Sequence, residues 1–256
     1  MTFEPDSSLV SDVCPSPNFE PRRDDRQPTI LLLHYTGVPT CRGAIDWLAR
    51  PESKVSAHYV IDEAGRIIQM VRESMRAWHA GLSRWGNEVD INSASIGIEI
   101  HNVGHDGGYP DFPDAQMEAV EALCRDIIAR HSIRPERVLA HSDVAPVRKR
   151  DPGEKFDWAR LAKAGIGHWV EPEPIARSDR GIGIGYGGAL VAEVQEMLAR
   201  YGYDIEPNGD FEEKTLFVVT AFQRHFRPAR VDGRLDQSTI TTLERLLAAL
   251  PANQAV

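Results

Sequence analysis

Hydrophobic residues follow distinct rhythms along this chain, and each rhythm predicts an element. Thr29–Tyr35 (TILLLHY) is a continuous apolar run too short for a stable helix, which predicts a strand buried on both faces with His34 near its end. Ser95–Ile100 (SIGIEI) alternates: Ile96, Ile98 and Ile100 belong to one face, Gly97 and Glu99 to the other. The Glu99 carboxylate is therefore expected on a face of small residues that leaves room for approach. His58–Asp62 and Arg66–Val71 flank Glu63-Ala64-Gly65 and predict a hairpin whose glycine supplies the turn. Helical spacing marks Arg42–Ala49 and, more strongly, Pro113–His131, where Met117, Val120, Leu123, Cys124, Ile127 and Ile128 make one stripe. Arg137–Ala140 predicts a short strand delivering His141. Strands interleaved with helices in this order predict an α/β fold, a mixed central β-sheet flanked by helices.

The pattern also divides the chain. Residues 1–27 are polar, contain prolines and carry a charged run from Arg22 to Arg26, so they read as an irregular lead-in to a domain over 28–167. Residues 168–186 are rich in Gly and Pro and read as a linker. A small three-helix domain is expected over 187–256, with stripes at Val191, Val194 and Leu198, at Leu216, Val219, Phe222 and Phe226, and at Ile240, Leu243 and Leu247. Its last two helices share an echo: Gly209-Asp-Phe-Glu-Glu-Lys-Thr215 and Gly233-Arg-Leu-Asp-Gln-Ser-Thr239. Each places an apolar residue before an acidic N-cap and another one turn inside the helix, Phe211 with Leu216 and Leu235 with Ile240, the arrangement of a hydrophobic staple.

Composition narrows the partners. A formal charge of −9 over 256 residues supplies no basic excess for a phosphate backbone, so no nucleic acid is expected. Cys14, Cys41 and Cys124 are an odd, widely spaced set that reads as free thiols in a reducing compartment. No apolar stretch is long enough for a transmembrane segment, and the opening residues show no export signal, which favours a cytoplasmic location. A leader removed beforehand would shift the expectation to a periplasmic or outer-membrane-associated protein.

Among the nine histidines most need only a structural role. His34 and His141, each at a strand end, form with Asp151 a candidate set for catalytic zinc, because two imidazoles and one carboxylate leave a tetrahedral position open. Spacing alone does not establish it, since a His and an Asp ten positions apart occur by chance in many chains.

The surrounding motifs are more specific. Leu-His34-Tyr-Thr, Ser56-Ala-His-Tyr59, Ala77-Trp-His-Ala-Gly81, Ser95-Ile-Gly-Ile-Glu99 and His141-Ser-Asp-Val-Ala-Pro-Val-Arg-Lys-Arg-Asp-Pro152 together resemble, in order, the AmpD/AmiD-type muramoyl-alanine amidases over about residues 28–165. The resemblance implies one Zn2+ per chain on His34, His141 and Asp151, with catalytic Glu99 and Lys149. It implies hydrolysis of the amide joining N-acetylmuramic or 1,6-anhydro-N-acetylmuramic acid to L-alanine, in muropeptide recycling or wall turnover. Glu99 can then serve as general base and acid, and Lys149 can stabilise an oxyanion. His79 is a candidate substrate contact, with Trp78 and Trp85 as neighbours for sugar or lactyl groups. His58, His101, His105, His131 and Asp143 carry no assignment.

Residues from about 187 resemble the three-helix peptidoglycan-binding domain that accompanies wall hydrolases, so peptidoglycan fragments or murein are the expected partners. Two other readings stand beside the amidase: a non-catalytic peptidoglycan-recognition protein on the same fold, which lacks a complete metal site, and a partner-binding protein with a vestigial site.

Overall fold

The computed structural model describes residues 3–251. Six strands form the central sheet: β1 (Asp12–Val13), β3 (Ile30–Tyr35), β4 (Tyr59–Ile61), β5 (Ile67–Gln69), β7 (Ser95–Ile100) and β8 (Val138–Ala140), in the spatial order β1-β5-β4-β7-β3-β8. Only the β4–β5 hairpin is antiparallel within it; the other pairings are parallel. A separate ribbon joins β2 (Phe19–Pro21) to β6 (Met75–Ala77). The helices are α1 (Cys41–Leu48), α2 (Ile91–Ala94), α3 (Asp114–His131), α4 (His141–Val144), α5 (Trp158–Lys163), α6 (Ala189–Tyr201), α7 (Glu213–Phe226) and α8 (Gln237–Ala248). The mixed α/β sheet with helical flanks and a helical C-terminal part is the fold expected from the sequence.

Alternation along β3 decides what each face of the sheet meets. Leu31 and Leu33, with Ile96, Ile98 and Ile100 of β7, pack on the Met117, Val120, Leu123, Cys124 and Ile127 stripe of α3. Ile30 and Leu32 point the other way, into a cluster with Leu139, Val144, Val194, Leu198, Phe222, Phe226 and Leu243. The C-terminal helices therefore close the second face of the sheet, and their core is continuous with it.

The lead-in is more ordered than its composition suggests. β1 adds to the sheet edge, Cys14 and Ser16 donate backbone hydrogen bonds to Gln69 and Met70, and the buried Arg22 guanidinium donates to the carbonyls of Glu73 and Ser93. Strands of two or three residues paired on one side leave no readable period, so the sequence conceals them. Residues 168–186 do not hang free either: Glu173 N–H donates to Thr242 Oγ1 (3.1 Å), Ser238 Oγ donates to the Glu173 carbonyl (2.6 Å), and Ile182 pairs with Leu235.

The echo between the last two helices is physical and reaches further back than Gly209 and Gly233. Gln195 Oε1 accepts from Gly209 N–H, while its amide nitrogen donates to Asn208 Oδ1, the Asp210 carbonyl and Thr215 Oγ1. Gln223 repeats this with Gly233, Asp232, the Arg234 carbonyl and Thr239. Each buried glutamine ties a loop to the helix that follows it. The caps themselves differ: Asp236 accepts from Thr239 N–H at 2.7 Å, as expected, whereas Glu212 makes no side-chain cap bond.

Between sheet and helices, Asp143 of α4 is wholly buried and saturated. Its Oδ1 accepts from Tyr203 OH (2.7 Å) and its Oδ2 from His225 Nδ1 (2.6 Å) and Ala140 N–H (2.8 Å). His225 stacks on Trp158 at 3.7 Å, and Trp85 meets Tyr203 edge-on at 4.9 Å. Trp85, expected near substrate, is thus withdrawn into this interface, because an indole gains more from that aromatic cage than from exposure.

Because the core is shared, unfolding followed by far-ultraviolet circular dichroism and by tryptophan fluorescence is expected to give one coincident transition. Phe222→Ala should lower its free energy by about 3–5 kcal/mol, the usual cost of emptying an aromatic core position. Two separated transitions would show that the helices fold independently.

Candidate metal centre and cleft

Register places the reactive groups. In the β3–β7 pairing His34 lies directly opposite Glu99, and in the β3–β8 pairing Leu33 lies opposite Ala140, which sets His141, the next residue, beside His34. Asp151 arrives from the loop after α4, where its carbonyl accepts from Ser142 N–H at 3.0 Å. The three side chains converge: His34 Nδ1 to His141 Nδ1 is 2.8 Å, His141 Nδ1 to Asp151 Oδ2 is 2.9 Å and His34 Nδ1 to Asp151 Oδ2 is 3.2 Å. Among the described residues this is the one group of three or more His, Cys, Asp or Glu with donor atoms close enough to share an ion. All three residues are buried.

Protons on the far ring nitrogens matter here. His141 Nε2 faces the Ala80 carbonyl at 3.1 Å, and a carbonyl can only accept, so Nε2 carries the hydrogen and Nδ1 of the neutral ring offers a lone pair. His34 Nε2 faces His79 Nδ1 at 3.0 Å.

The site opens onto a cleft of about 380 Å³ lined by Tyr35, Trp47, Trp78, His79, Glu99 and Lys149 among others. A larger hollow of about 650 Å³ near Pro15, Phe19 and Met70 is apolar and holds none of the candidate residues. Glu99 Oε2 is buried yet has no hydrogen-bond partner among the described residues. Burial pushes the Glu99 carboxyl well above the ordinary range, and the Asp151 charge adds to this while Lys149 opposes it. Burial also raises the Asp151 carboxyl, but His141 and His34 outweigh that and hold it far below the usual carboxylate range. His34 is lowered to about 4, first by burial and then by the charge of His141.

His34, His141, Asp151, Glu99 and Lys149, singled out from the sequence, come together at this one place. His79 borders the cleft but is 8% exposed, with its ring engaged by His34 and Ser95. Trp47, half exposed on the rim, is a cleft residue that the sequence reading misses; its position on α1 beside the apolar Leu48 is the available signal. The remaining histidines are occupied elsewhere, His131 by Glu73 (2.6 Å) and His105 by Glu154 (3.2 Å).

Convergent donors that could hold a metal ion, a carboxylate oxygen without a partner among the described residues and a lysine on one open cleft make a combination that a hydrolase can use. Comparison with known proteins agrees: the family profile described as N-acetylmuramoyl-L-alanine amidase matches residues 24–154, and a peptidoglycan binding domain profile matches residues 187–243. The chain belongs to the N-acetylmuramoyl-L-alanine amidase family. It is 38% identical over 230 residues to the Escherichia coli K12 N-acetylmuramoyl-L-alanine amidase AmiD, covering 85% of this chain and 82% of that one. It is 36% identical over 164 residues to the E. coli K12 1,6-anhydro-N-acetylmuramyl-L-alanine amidase AmpD, covering 57% of this chain and 87% of that one. Among solved structures, the E. coli AmiD complex with anhydro-N-acetylmuramic acid-L-Ala-D-gamma-Glu-L-Lys superposes with a TM-score of 0.74 at 36% identity, over 90% of this chain and 92% of that one. The Pseudomonas aeruginosa AmpDh3 complex with anhydromuramic pentapeptide gives 0.72 at 30% identity, over 90% and 95%.

Beneath the cleft, His58 is fully buried and accepts from Gly97 N–H at Nδ1 (3.0 Å), so its Nε2–H donates to the Met75 carbonyl (3.1 Å). Burial, then the Arg22 charge, lower its pKa to about 3. An unfolded histidine titrates near about 6.5. Below that pH the unfolded chain binds a proton that the native chain refuses, so stability is complete above it and declines as pH falls toward the native value. In metal-free protein, urea unfolding from about pH 7 to about pH 4 should show this decline, and His58→Gln should make it shallower.

Proposed function

We propose that His34, His141 and Asp151 hold one zinc ion and that Glu99 and Lys149 work beside it to hydrolyse the amide between the lactyl group of muramic acid and the L-alanine of the stem peptide. The observation that carries this is the convergence of three donors within 3.2 Å of one another, next to a carboxylate oxygen that lacks a partner among the described residues.

The donor set fits the ion. Tetrahedral zinc with bonds of about 2.0–2.1 Å spaces neighbouring nitrogen and oxygen ligands about 3.3 Å apart, a few tenths of an ångström wider than the separations here. The lone pair on His141 Nδ1 faces a second imidazole nitrogen and a carboxylate oxygen at 2.8 and 2.9 Å, an arrangement that a cation stabilises. When bound, zinc supplies Lewis acidity that polarises the scissile carbonyl and makes water more acidic.

The chain's own residues do the rest. Glu99, directly across from His34 in the sheet, takes the proton from the attacking water and returns it to the departing alanine amine. Its raised affinity for a proton suits the second half of that task. Lys149, half-buried in the cleft lining, supplies a positive charge to the negative oxygen that forms as the carbonyl becomes tetrahedral. Trp47 and Trp78 offer apolar walls to the sugar and lactyl groups. The helical part from residue 187 is read as the element that holds polymeric peptidoglycan. No helix among the described residues is long and apolar enough to cross a membrane. The free thiols support work in the cytoplasm on released muropeptides, the wall-binding domain supports the envelope, and cell fractionation separates the two.

An anhydro-muramoyl tripeptide incubated with the purified protein should release free peptide, detected by mass spectrometry; a chelator should stop the reaction and added zinc restore it. His34→Ala should abolish release with the fold retained. Glu99→Gln should lower turnover by about 10²–10⁴-fold with zinc still bound. Zinc-loaded, folded protein that cuts neither this compound nor intact sacculi would favour the recognition-protein reading.

A further inference from the structure

The hydrogen atoms around His34 can be placed one by one, starting from a serine. Ser95 Oγ lies against the Ile91 carbonyl, which only accepts, so the single hydroxyl hydrogen is spent there. Ser95 Oγ is then an acceptor for its other neighbour, His79 Nε2, at 3.3 Å. A neutral imidazole has one N–H, so His79 Nδ1 is left with a lone pair. Across 3.0 Å stands His34 Nε2, which must donate to it, and His34 Nδ1 is thereby freed to face His141 and Asp151.

The adjacent residue does the equivalent for the other imidazole, since the Ala80 carbonyl fixes the hydrogen on His141 Nε2. Both backbone N–H groups of this dipeptide donate to one atom, Asn92 Oδ1, at 3.0 Å from His79 and 2.8 Å from Ala80. Strand β7 leaves room for the ring: a Cβ on Gly97 would lie 2.5 Å from His79 Nδ1. Two stretches of sequence far apart, Trp-His-Ala-Gly and Ser-Ile-Gly-Ile-Glu, thus build one support.

We propose that His79 is a positioning residue for the metal, fixing the tautomer and ring orientation of His34 through this one-way chain from Ile91, with Ala80 and Asn92 completing a clamp on both imidazoles. The proposal rests on the zinc site proposed above. It also replaces the substrate contact expected of His79 from the sequence.

Zinc affinity of the 256-residue chain, measured by competition with a chromogenic chelator, tests it. His79→Ala should weaken zinc binding by about 10–100-fold, the usual effect of removing the partner that orients a ligand histidine. His79→Asn, which can keep an oxygen acceptor where Nδ1 stood, should recover most of that loss. With zinc saturating, KM for the anhydro-muramoyl tripeptide should stay within about twofold of the unmutated value while affinity for zinc is reduced. Unchanged zinc affinity in His79→Ala overturns the proposal, as does a raised KM with zinc affinity intact, which marks a substrate contact. Should His79→Ala fail to fold, Ser95→Ala decides: a smaller loss of zinc affinity supports the chain, and none overturns it. Unmutated protein and His34→Ala are the controls. Absence of zinc uptake by the unmutated chain would remove the metal site itself, whereas uptake lost in His34→Ala with affinity unchanged in His79→Ala removes only the role of His79.

Discussion

Parallel pairing of β3 with β7 and β8 is the constraint on which the rest of this structure depends. Parallel neighbours end on the same side of a sheet, and side chains at their carboxyl ends are brought together without any need for nearness in sequence. Here that side carries His34 opposite Glu99 and, one strand over, His141 just past Ala140. A shift of one residue in either pairing would turn a reactive side chain into the opposite core. The apolar alternation that sends Leu31 and Leu33 to one cluster and Ile30 and Leu32 to another therefore also aims His34. Packing and chemistry share one register.

Legibility in the sequence follows the range of the interaction involved. The run at Thr29–Tyr35 and the alternation at Ser95–Ile100 are local signals, and they suffice to locate β3, β7 and the open face of Glu99. His79 stands out in its motif, but its task does not, because its partners His34 and Ser95 lie 45 and 16 positions away and nothing in its neighbours' spacing points to them. Trp85 misleads for the same reason: an indole beside a candidate site looks like a sugar platform until Tyr201 and Tyr203 are folded against it. The lead-in strands are hidden by their brevity. Helical stripes announce that α6, α7 and α8 bury a face, but a stripe does not say whether its partner is another helix or the back of a sheet.

The repeated glutamine clasps show how little sequence suffices to organise a small helical body. Gln195 and Gln223 each replace several separate loop anchors with one side chain whose donor and acceptor are both committed. A buried amide left half satisfied would be costly, which makes each loop conformation well determined. The copies diverge around their caps: Asp236 is buried with Arg227 and accepts from Arg230, whereas Glu212 stays exposed beside a small hollow. A shared framework with unlike surroundings leaves the two loops free to serve different ends.

The saturated Asp143 and the cluster around it join the C-terminal helices to the cleft-bearing sheet through one continuous core. An enzyme on a flexible tether explores a sphere around its anchor and cuts whatever falls within reach, as an effective concentration set by linker length. A part joined through a shared core would instead behave as a gauge: on the function proposed above, with the helical end resting on peptidoglycan, the cleft would meet only those bonds that lie at one fixed offset and angle from that resting place. Which stem peptides are cut would then depend on the local geometry of the wall as well as on the chemistry of the bond.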